Sequence, residues 1–341
     1  MVKIGDIAKA TGFSVTTVSK ALNGYTDISD KTRALIIAMA KEMGYVPNAS
    51  ARSLVMKRSF TIGVILDDVS KDGLEHPFFG GFVQAFRVEI ERKGYDMLMI
   101  SNAIGQSSVD SYINHCRQRS VDGVLILCTD ISRPGVQELL ESDIPSVLFD
   151  LPEEQVNCVY SDHYTGAREA MKHLIDLGHT KIGHIYGNDI TYAGYERRRA
   201  YMDALHENNL PLRADYLQDG GFFEFERGLE VMRVLLDLEE PPTAVFVAGD
   251  AMALGAMKCC YNRHLRIPDD MSIIGFDNIR MLEWTTPRLT SVAQNQKLIG
   301  NECAKILFER IENKKTVGFL KVKIPTRLVK GETCQKVRER A

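Results

Sequence analysis

Aspartates follow most of the apolar runs in the larger, C-terminal part of the chain. They lie at positions 67, 68, 130, 150, 162, 250 and 277. Because ligands of open α/β sheets bind at the carboxyl ends of the strands, these carboxylates predict an acidic rim. Such a rim suits a ligand rich in hydroxyl donors. The alternative for each aspartate is that it caps the N-terminus of the following helix.

Paired carboxylates such as Asp250 and Asp277 are also what glycoside hydrolysis requires. The sequence has eight histidines but no HExxH, and it has neither a G-x-S-x-G nucleophile elbow nor a phosphate-binding glycine loop. Its seven cysteines form no CxxC pair, which favours reduced structural thiols over disulfides or a metal site. We therefore predict a protein that is not an enzyme, with no catalytic residues, no cofactor and no metal.

The elements that must position these carboxylates are strands and helices in alternation. Strands are predicted at FTIGVIL, YDMLMIS, DGVLIL, PSVLF, KIGHIYG, TAVFVAG and MSIIGF, and helices at 78–93, 165–177, 193–208 and 251–263. Strands that are apolar throughout and separated by helices indicate parallel sheets covered on both faces. The size of this region suggests two sheets, with the chain crossing between them three times.

These crossings divide the body into two lobes that can close on a ligand. The predicted fold is therefore an all-α head followed by an α/β body of two parallel-sheet lobes. The predicted ranges are a head at 1–46, a hinge and linker at 47–59, an N-terminal lobe at 60–162 and 292–321, a C-terminal lobe at 163–291 and 322–336, and a tail at 337–341.

Charge is distributed unevenly along the 341 residues. Residues 1–58 carry nine basic and four acidic side chains, a charge of +5 that leaves −8 for the remainder, given the net charge of −3. A basic head on an acidic body predicts that the head binds a polyanion. An enzyme would not need such a basic head. No apolar run has the length of a signal peptide or a membrane span, so a cytoplasmic protein is expected.

The head contains the segment IGDIAKATGFSVTTVSKALNG, residues 4–24. Gly12 supplies a tight bend between two short helices, and Ser14 is a suitable N-cap for the second. A third amphipathic segment, 31–43, completes a three-helix core. The residues predicted to face that core are Ile4, Ile7, Ala8, Val15, Val18, Ala21, Leu22, Leu35, Ile36, Met39 and Met43. This pattern predicts a helix-turn-helix unit, whose second helix enters the DNA major groove, with an ordinary helical hairpin as the alternative.

The segment ASARSLVMKRS, residues 49–59, follows the head. A helix of seven or eight residues is too short to be stable alone in water, because nucleation is costly. We predict that this segment acquires structure only when a partner orders it.

The motifs FS-x-x-TVS-x-x-LN and YVPN-x-x-AR-x-L together resemble the lactose-repressor/galactose-repressor (LacI/GalR) family of bacterial transcription regulators. The resemblance continues almost to the C-terminus. It implies a hinge helix that pairs with its copy in the minor groove, where Leu54 wedges into the central base step beside Asn48, Ala51 and Arg52. It also implies that Val15 and Thr16 read bases, and that Lys20 stands where the family often has arginine. The predicted DNA-binding residues of the head are Ser14, Val15, Thr16, Thr17, Ser19, Lys20 and Asn23.

The same resemblance implies a periplasmic sugar-binding fold for the body and assigns residues to its cleft. Arg197, Asp250 and Asp277 match positions that contact effectors, and Asp162 matches a block that lines the cleft. Aromatic stacking on the effector is expected from Phe78 and Phe79, with Phe222 or Phe223 and Trp284 on the opposite wall. Aromatic faces combined with Asp and Arg favour a carbohydrate effector. The alternatives are a purine or phosphorylated metabolite for the effector, and a surface ion pair for Arg197.

The chain departs from the family pattern at Gly249, Ala200 and Gly331. The hinge argument and the resemblance predict a homodimer bound to an inverted-repeat DNA operator. The final residues, CQKVRERA, are too short and polar for a further heptad zipper.

Overall fold

In a computed structural model, the chain forms two compact units, residues 1–60 and 61–341. The structure describes residues 2–46, 53, 56, 58–67, 73–100, 111–128, 134–313 and 318–337. Among the helices within these ranges, none is both long enough and apolar enough to cross a bilayer.

The first unit is a three-helix head. Its helices are α1 (Ile4–Thr11), α2 (Val15–Leu22) and α3 (Asp30–Glu42). Gly12 ends α1 with φ of 73°, the left-handed conformation that a glycine adopts without steric cost. The fully or nearly buried core of the head consists of Ile7, Ala8, Val18, Ala21, Ile36 and Ala40. The predicted bend and the predicted three-helix core are therefore confirmed.

Two residues predicted to face this core lie outside it. The side chain of Val15 is 55% exposed and that of Leu35 is 48% exposed. The reason is the helical period, because neighbours in sequence lie about 100° apart around a helix of 3.6 residues per turn. Burial of Ile36 turns Leu35 outward, and burial of Val18 leaves Val15 at the open N-terminal end of α2.

The first sheet of the body contains six strands of the described chain, all parallel. In spatial order they are β11 (Lys321–Ile324), β5 (Cys158–Ser161), β4 (Ser146–Phe149), β3 (Gly123–Cys128), β1 (Thr61–Asp67) and β2 (Asp96–Ile100). Helices cover both faces, and they are α4 (Pro77–Arg92), α5 (Tyr112–Gln118), α6 (Pro134–Leu140) and α11 (Gln296–Glu312). Coverage on both faces explains why the inner strands β1, β3 and β4 are largely apolar, whereas the edge strand β11 carries the exposed Lys321 and Lys323.

The second sheet also contains six described strands. In spatial order they are β12 (Arg327–Val329), β10 (Thr290–Ala293), β9 (Ser272–Asp277), β8 (Ala244–Val247), β6 (Ile182–Tyr186) and β7 (Leu217–Asp219). Its helices are α7 (His163–Asp176), α8 (Tyr192–Glu207), α9 (Phe225–Leu236) and α10 (Asp250–Asn262). The sheet departs from the predicted all-parallel arrangement, because β12 pairs antiparallel with β10. The reversal follows because only a short connection joins β11, in the first sheet, to β12, in the second.

The chain passes between the two lobes at three points. The first lies between β5 and α7, and the predicted lobe boundary is after residue 162. The predicted boundaries at 291/292 and 321/322 fall inside β10 and β11, so the structure places these crossings later, after Ala293 and after Ile324.

Candidate functional site

The N-terminal end of α2 presents a short polar and apolar surface. Ser14 caps the helix by accepting a hydrogen bond from the backbone N–H of Thr17 at 3.0 Å. Ser14, Val15 and Thr16 are exposed, and Thr17 is half-buried. An N-terminal helix end with exposed side chains is the part of a helix-turn-helix that contacts base edges.

Three other predicted DNA contacts, Ser19 and Lys20 in α2 and Asn23 directly after it, have partners inside the head. Lys20 forms an ion pair with Asp27, and its ammonium group lowers the pKa of that carboxyl. Asn23 donates its side-chain amide to the carbonyl of Ser19 at 2.8 Å. The predicted hinge contacts Asn48, Ala51, Arg52 and Leu54 lie outside the described residues.

A cavity opens at the carboxyl ends of the strands of both lobes. The space between its walls, counted together with its open mouth, is about 800 Å³. Its lining residues are Leu66, His76, Phe78, Phe79, Leu127, Phe149, Asp150, Leu151, Thr191, Tyr192, Ala193, Arg197, Phe222, Phe223, Asp277 and Gln294. The predicted site residues that the structure brings together here are Phe78, Phe79, Arg197, Phe222 and Asp277.

Aromatic rings line this cavity from both lobes. His76 caps the N-terminus of α4, so Phe78 and Phe79 lie in the first turn of that helix and face the cavity. Their ring centroids are 5.7 Å apart at an interplanar angle of 67°, an edge-to-face arrangement. Phe222 and Phe223 contribute from the other lobe, on the loop that follows β7.

A buried polar network lies at one end of the cavity. Asp150, directly after β4, holds its carboxylate oxygens 2.7 and 2.8 Å from Nε2 of His163. Arg197 contacts the opposite ring nitrogen of His163, through Nε at 3.3 Å and Nη2 at 3.1 Å. Arg197 also donates to the carbonyl of Ala248 and lies 3.5 Å from Asp277. The network therefore links a carboxylate of the first lobe to one of the second.

Arg197 is 3% exposed, and its guanidinium carbon lies 3.7 Å from the centroid of the Phe276 ring. Burial lowers the pKa of its guanidinium, and Asp277 opposes that shift. The alternative of a surface ion pair is therefore wrong. Most N–H groups of the guanidinium contact other protein groups. The side chain therefore borders the cavity as part of a packed network.

Asp277 is the last residue of β9 and Asp150 directly follows β4, and both have unusual backbone conformations. Their φ angles are 114° and 65°, a region that costs a residue with a side chain about 1–3 kcal/mol. Burial raises the pKa of the Asp277 carboxyl, while Arg197 lowers it. Strain of this kind clusters at ligand sites, where it holds a side chain in one orientation.

Three other predicted effector contacts lie elsewhere. Asp250 is 0% exposed, and its carboxylate accepts hydrogen bonds from the hydroxyl of Ser291 at 2.7 Å and the backbone N–H of Ile279 at 2.9 Å. Burial, together with the charge of Asp277, raises its pKa well above the usual value. It is a buried group outside the cavity lining, and Gly249 rather than Asp250 is the N-cap of α10.

Asp162 caps α7 by accepting from the N–H of Thr165 at 3.2 Å and forms an ion pair with Lys323 at 3.2 Å. The capping alternative therefore describes Asp162 in this structure. Trp284 is 70% exposed at the end of a short 3₁₀ helix, and neither residue belongs to the cavity lining.

Sequence reasoning did not single out His163 or Gln294. His163 adjoins the first crossing and Gln294 the second, so a polar residue next to a predicted crossing was the available signal. Within the described ranges, no cluster of three or more His, Cys, Asp or Glu side chains has the arrangement of a metal site.

Comparisons with known proteins match both parts of the chain. Residues 3–48 match the model of bacterial regulatory proteins of the lacI family, and residues 171–334 match a periplasmic binding protein-like domain. The HTH-type transcriptional repressor PurR of Mannheimia succiniciproducens is 32% identical over 318 residues, which cover 92% of this chain and 93% of that protein.

Two solved structures are similar over almost the whole chain. One is a complex of the transcriptional regulator CelR with cellobiose, at 30% identity and a TM-score of 0.73, covering 98% of this chain and 100% of that one. The other is the lac repressor dimer bound to operator and the anti-inducer ONPF, at 25% identity and a TM-score of 0.81, covering 98% and 99%.

Proposed function

This chain belongs to the lacI family of bacterial regulatory proteins and is a transcriptional repressor with a DNA-binding head, and we propose that it binds an inverted-repeat operator as a homodimer. A small molecule in the body cavity controls its affinity for that operator. The observation that carries this proposal is the cavity. It lies at the carboxyl ends of both sheets and takes its lining from both lobes, so a ligand there changes the free energy of lobe closure.

The DNA side of the proposal is supported by the exposed end of α2. Val15 is a large apolar side chain that is 55% exposed, whereas Val18 of the same helix is completely buried. A valine there offers no hydrogen bond, and it suits contact with the methyl group of a thymine. The charge of +5 on residues 1–58 supplies attraction to phosphates.

The charges around the cavity favour a neutral effector. The acidic and basic side chains in the described lining are His76, Asp150, Arg197 and Asp277, and the two carboxylates repel an anion. Arg197 is the one permanent cation among them, and its donors serve His163, Ala248 and Asp277. A phosphorylated metabolite would therefore lack a free cationic partner among these residues.

A flat or ring-shaped molecule with hydrogen-bond donors at one edge fits this arrangement. The aromatic residues offer faces to stack on, and the carboxylates offer acceptors at the polar end. Both a sugar and a purine base have this chemistry. The bound cellobiose of the CelR complex supports the carbohydrate prediction, and the name PurR of the curated relatives supports the purine alternative.

Dimerisation is supported by the predicted hinge and by the dimeric lac repressor structure bound to its operator. A hinge helix of about eight residues costs roughly 1–2 kcal/mol of backbone entropy per residue to order. A partner hinge and a bent duplex together offset that cost.

The proposal is tested by selecting bound sequences from random duplex DNA with the full-length protein. We expect an inverted repeat, bound with a stoichiometry of two chains per duplex. Repeating the binding measurement with cellobiose, guanine and hypoxanthine should change the operator affinity by about 5- to 150-fold for at least one of them, the usual size of allosteric coupling. A selected site without two-fold symmetry, or no response to any of these three molecules, would contradict the proposal.

A matched pair of variants tests the cavity. Phe79→Ala removes a half-buried ring from the lining, and Phe225→Ala removes a phenylalanine that is 37% exposed at the start of α9, outside the lining. Both should bind operator normally without effector. Only Phe79→Ala should raise the effector concentration needed for the response, by about tenfold, which corresponds to about 1.4 kcal/mol.

A further inference from the structure

His163 is the first residue of α7, where the second lobe begins after the first crossing. The residue is 1% exposed and does not belong to the cavity lining. A buried polar ring behind the cavity acts on the ligand site only through its neighbours, so the partners of both ring nitrogens decide what it can do.

The second lobe holds the imidazole of His163 in one orientation. Its Nδ1 accepts from Arg197, whose Nη2 lies 3.1 Å away. The rings of Tyr192 and Phe276 pack against it, each with its centroid 5.7 Å from that of the imidazole. Arg197 and Tyr192 belong to α8 and Phe276 to β9, all in the second lobe. The imidazole therefore cannot turn without displacing a buried neighbour.

The remaining ring nitrogen reaches the first lobe. Because Nδ1 accepts, Nε2 of His163 carries the proton and donates it to Asp150, whose carboxylate oxygens lie 2.7 and 2.8 Å away. Asp150 directly follows β4, and its Oδ1 also accepts from the backbone N–H of Ser161 in β5 at 3.3 Å. The donor is thus anchored to one lobe and the acceptor to the other.

This hydrogen bond lies beside the first crossing, where the lobes turn against each other. A turn that separates the partners leaves the N–H of His163 buried without an acceptor and takes a donor from Asp150, whose side chain is 17% exposed. Hydrogen bonds to an ionised acceptor are about twice as strong as neutral ones, and a buried donor left unpaired loses its hydration without compensation. The contact therefore favours the lobe orientation in which it forms.

We propose that the hydrogen bond from His163 to Asp150 is a latch that sets the relative orientation of the two lobes, an inference that rests on the proposed control of operator affinity by the lobes. His163 is its positioning residue. Asp150 also lines the cavity, so a small molecule that donates to this carboxylate shares it with His163 and weakens the latch. His163 thereby transmits occupation of the cavity to the hinge without contacting the small molecule.

Two amide side chains separate the two bonds of the imidazole. His163→Gln places its amide nitrogen near the position of Nε2, so it still donates to Asp150. His163→Asn ends near the position of Nδ1, so it keeps an acceptor for Arg197 and does not reach Asp150. The latch is retained in the glutamine variant and lost in the asparagine variant, although both replace the ring by an amide.

The measurement is the distance between two spin labels in the full-length protein without added small molecule, recorded by pulsed electron paramagnetic resonance. The labels are attached to unnatural amino acids in place of Glu138 in α6 and Glu230 in α9, two exposed positions in different lobes. An excess of unlabelled protein suppresses distances between subunits. We expect one dominant distance in the natural protein and in His163→Gln. In His163→Asn the population of a second distance should rise about 10- to 100-fold, the effect of losing a hydrogen bond to a charged group.

A control variant and a second latch variant accompany this measurement. Lys323 pairs with Asp162 at the same crossing at 3.2 Å, and 53% of its side chain is exposed. Lys323→Ala should leave the distance unchanged, because an exposed pair contributes little. Asp150→Ala removes the acceptor instead of the donor and should give the same second distance as His163→Asn. Combining the two substitutions should add nothing further, the pattern of a direct pair in a double-mutant cycle.

Equal distance distributions in His163→Gln and His163→Asn, whether unchanged or shifted, would overturn the latch. A shift in Lys323→Ala as large as that in His163→Asn would also overturn it. Operator affinity of the same proteins separates the latch from the proposed function. A second distance in His163→Asn with an unchanged operator affinity supports the latch and contradicts control of DNA binding by the lobes. Unshifted distances, with an operator affinity that responds to cellobiose, guanine or hypoxanthine, contradict the latch alone.

Discussion

Nε2 of His163 contacts both carboxylate oxygens of Asp150, while Nδ1 of the same ring faces the guanidinium of Arg197. Arg197 has only donors, so Nδ1 accepts and carries no proton. The ring proton lies on Nε2 and is donated to Asp150. A neutral imidazole in a single tautomer thus joins two charged groups that come from different parts of the chain.

Arg197→Ala should destabilise the body strongly. The substitution leaves Asp277 buried without its cation and removes the partner of His163. Breaking a buried pair in this way costs about 3–5 kcal/mol. The free energy of unfolding from urea titration measures the effect.

The matched control is the next residue. Arg198 is paired with Asp189 and stacks 4.5 Å from the Tyr186 ring centroid, with 31% of its side chain exposed. Arg198→Ala should cost about 1 kcal/mol or less. Equal losses in the two variants would show that the network around Arg197 contributes no more than a surface contact.

Asp250→Asn should make the protein's stability less sensitive to pH. Burial and the charge of Asp277 raise the pKa of Asp250 in the folded state. The stabilising contribution of a group with a raised pKa is complete below the unfolded pKa, about 3.9, and is lost as pH rises through the folded value. The natural protein therefore bears a penalty at neutral pH that asparagine does not.

The measurement is the free energy of unfolding of both proteins at several pH values from about 4 to 7.5. The difference, variant minus natural, should become more positive as pH rises. Asparagine keeps an oxygen for the N–H of Ile279 and an amide that can donate to Ser291. A difference independent of pH would mean that Asp250 is ionised in both the folded and unfolded states across this range.

The sequence predicted the elements of this protein better than their orientations. Apolar runs located the long strands, and Gly12 with Ser14 located the bend in the head. The strand Leu217–Asp219 was not predicted, because three residues with one apolar side chain carry no period. Val15 and Leu35 were assigned to the core because both fit an apolar stripe, and only the packing of three helices decides which edge of a stripe is covered.

The candidate site was predicted in part for a related reason. Position after a strand brought Asp277 and Asp150 into consideration, since the carboxyl ends of parallel strands meet at one edge. The same signal selected Asp250 and Asp162, whose burial and capping depend on local backbone. His163 joins residues 13 positions before it and 34 after it, a relationship that no local pattern contains.

Two glycines of the head should respond oppositely to the same substitution. An added Cβ meets no atom within 4 Å at either Gly5 or Gly12, so only the backbone conformation differs. Gly12 has φ of 73°, where a side chain costs about 1–2 kcal/mol. Gly5 lies inside α1, where alanine is favoured by about 0.5–1 kcal/mol.

Hydrogen exchange of the amides of α1 to α3 in the full-length protein measures both effects. Protection should fall in Gly12→Ala and rise in Gly5→Ala. A rise in protection in both variants would show that the tight bend after α1 does not require a left-handed residue, and a fall in both would show that alanine is not favoured at position 5.

Leu54→Ala should reduce specificity for the operator more than affinity for DNA. The resemblance assigns Leu54 to a kinked base step, although the residue lies outside the described part of the chain. The free-energy cost of unstacking the bases at such a step is offset by the contacts that a bent duplex permits. Those contacts form only at the specific site. Attraction between the basic head and phosphates does not depend on the wedge, so binding to random duplex should be almost unchanged.

Specificity is measured as the ratio of the affinity for the selected operator to the affinity for a scrambled duplex, both determined at one salt concentration. Leu35→Ala is the control, since it makes the same truncation at an exposed position of α3 in the same head. We expect Leu54→Ala to lower the operator-to-random ratio at least tenfold and Leu35→Ala to leave it unchanged. If Leu54→Ala instead weakens binding to both duplexes equally, the side chain acts through general attraction or hinge stability, and the wedge must be assigned to another residue.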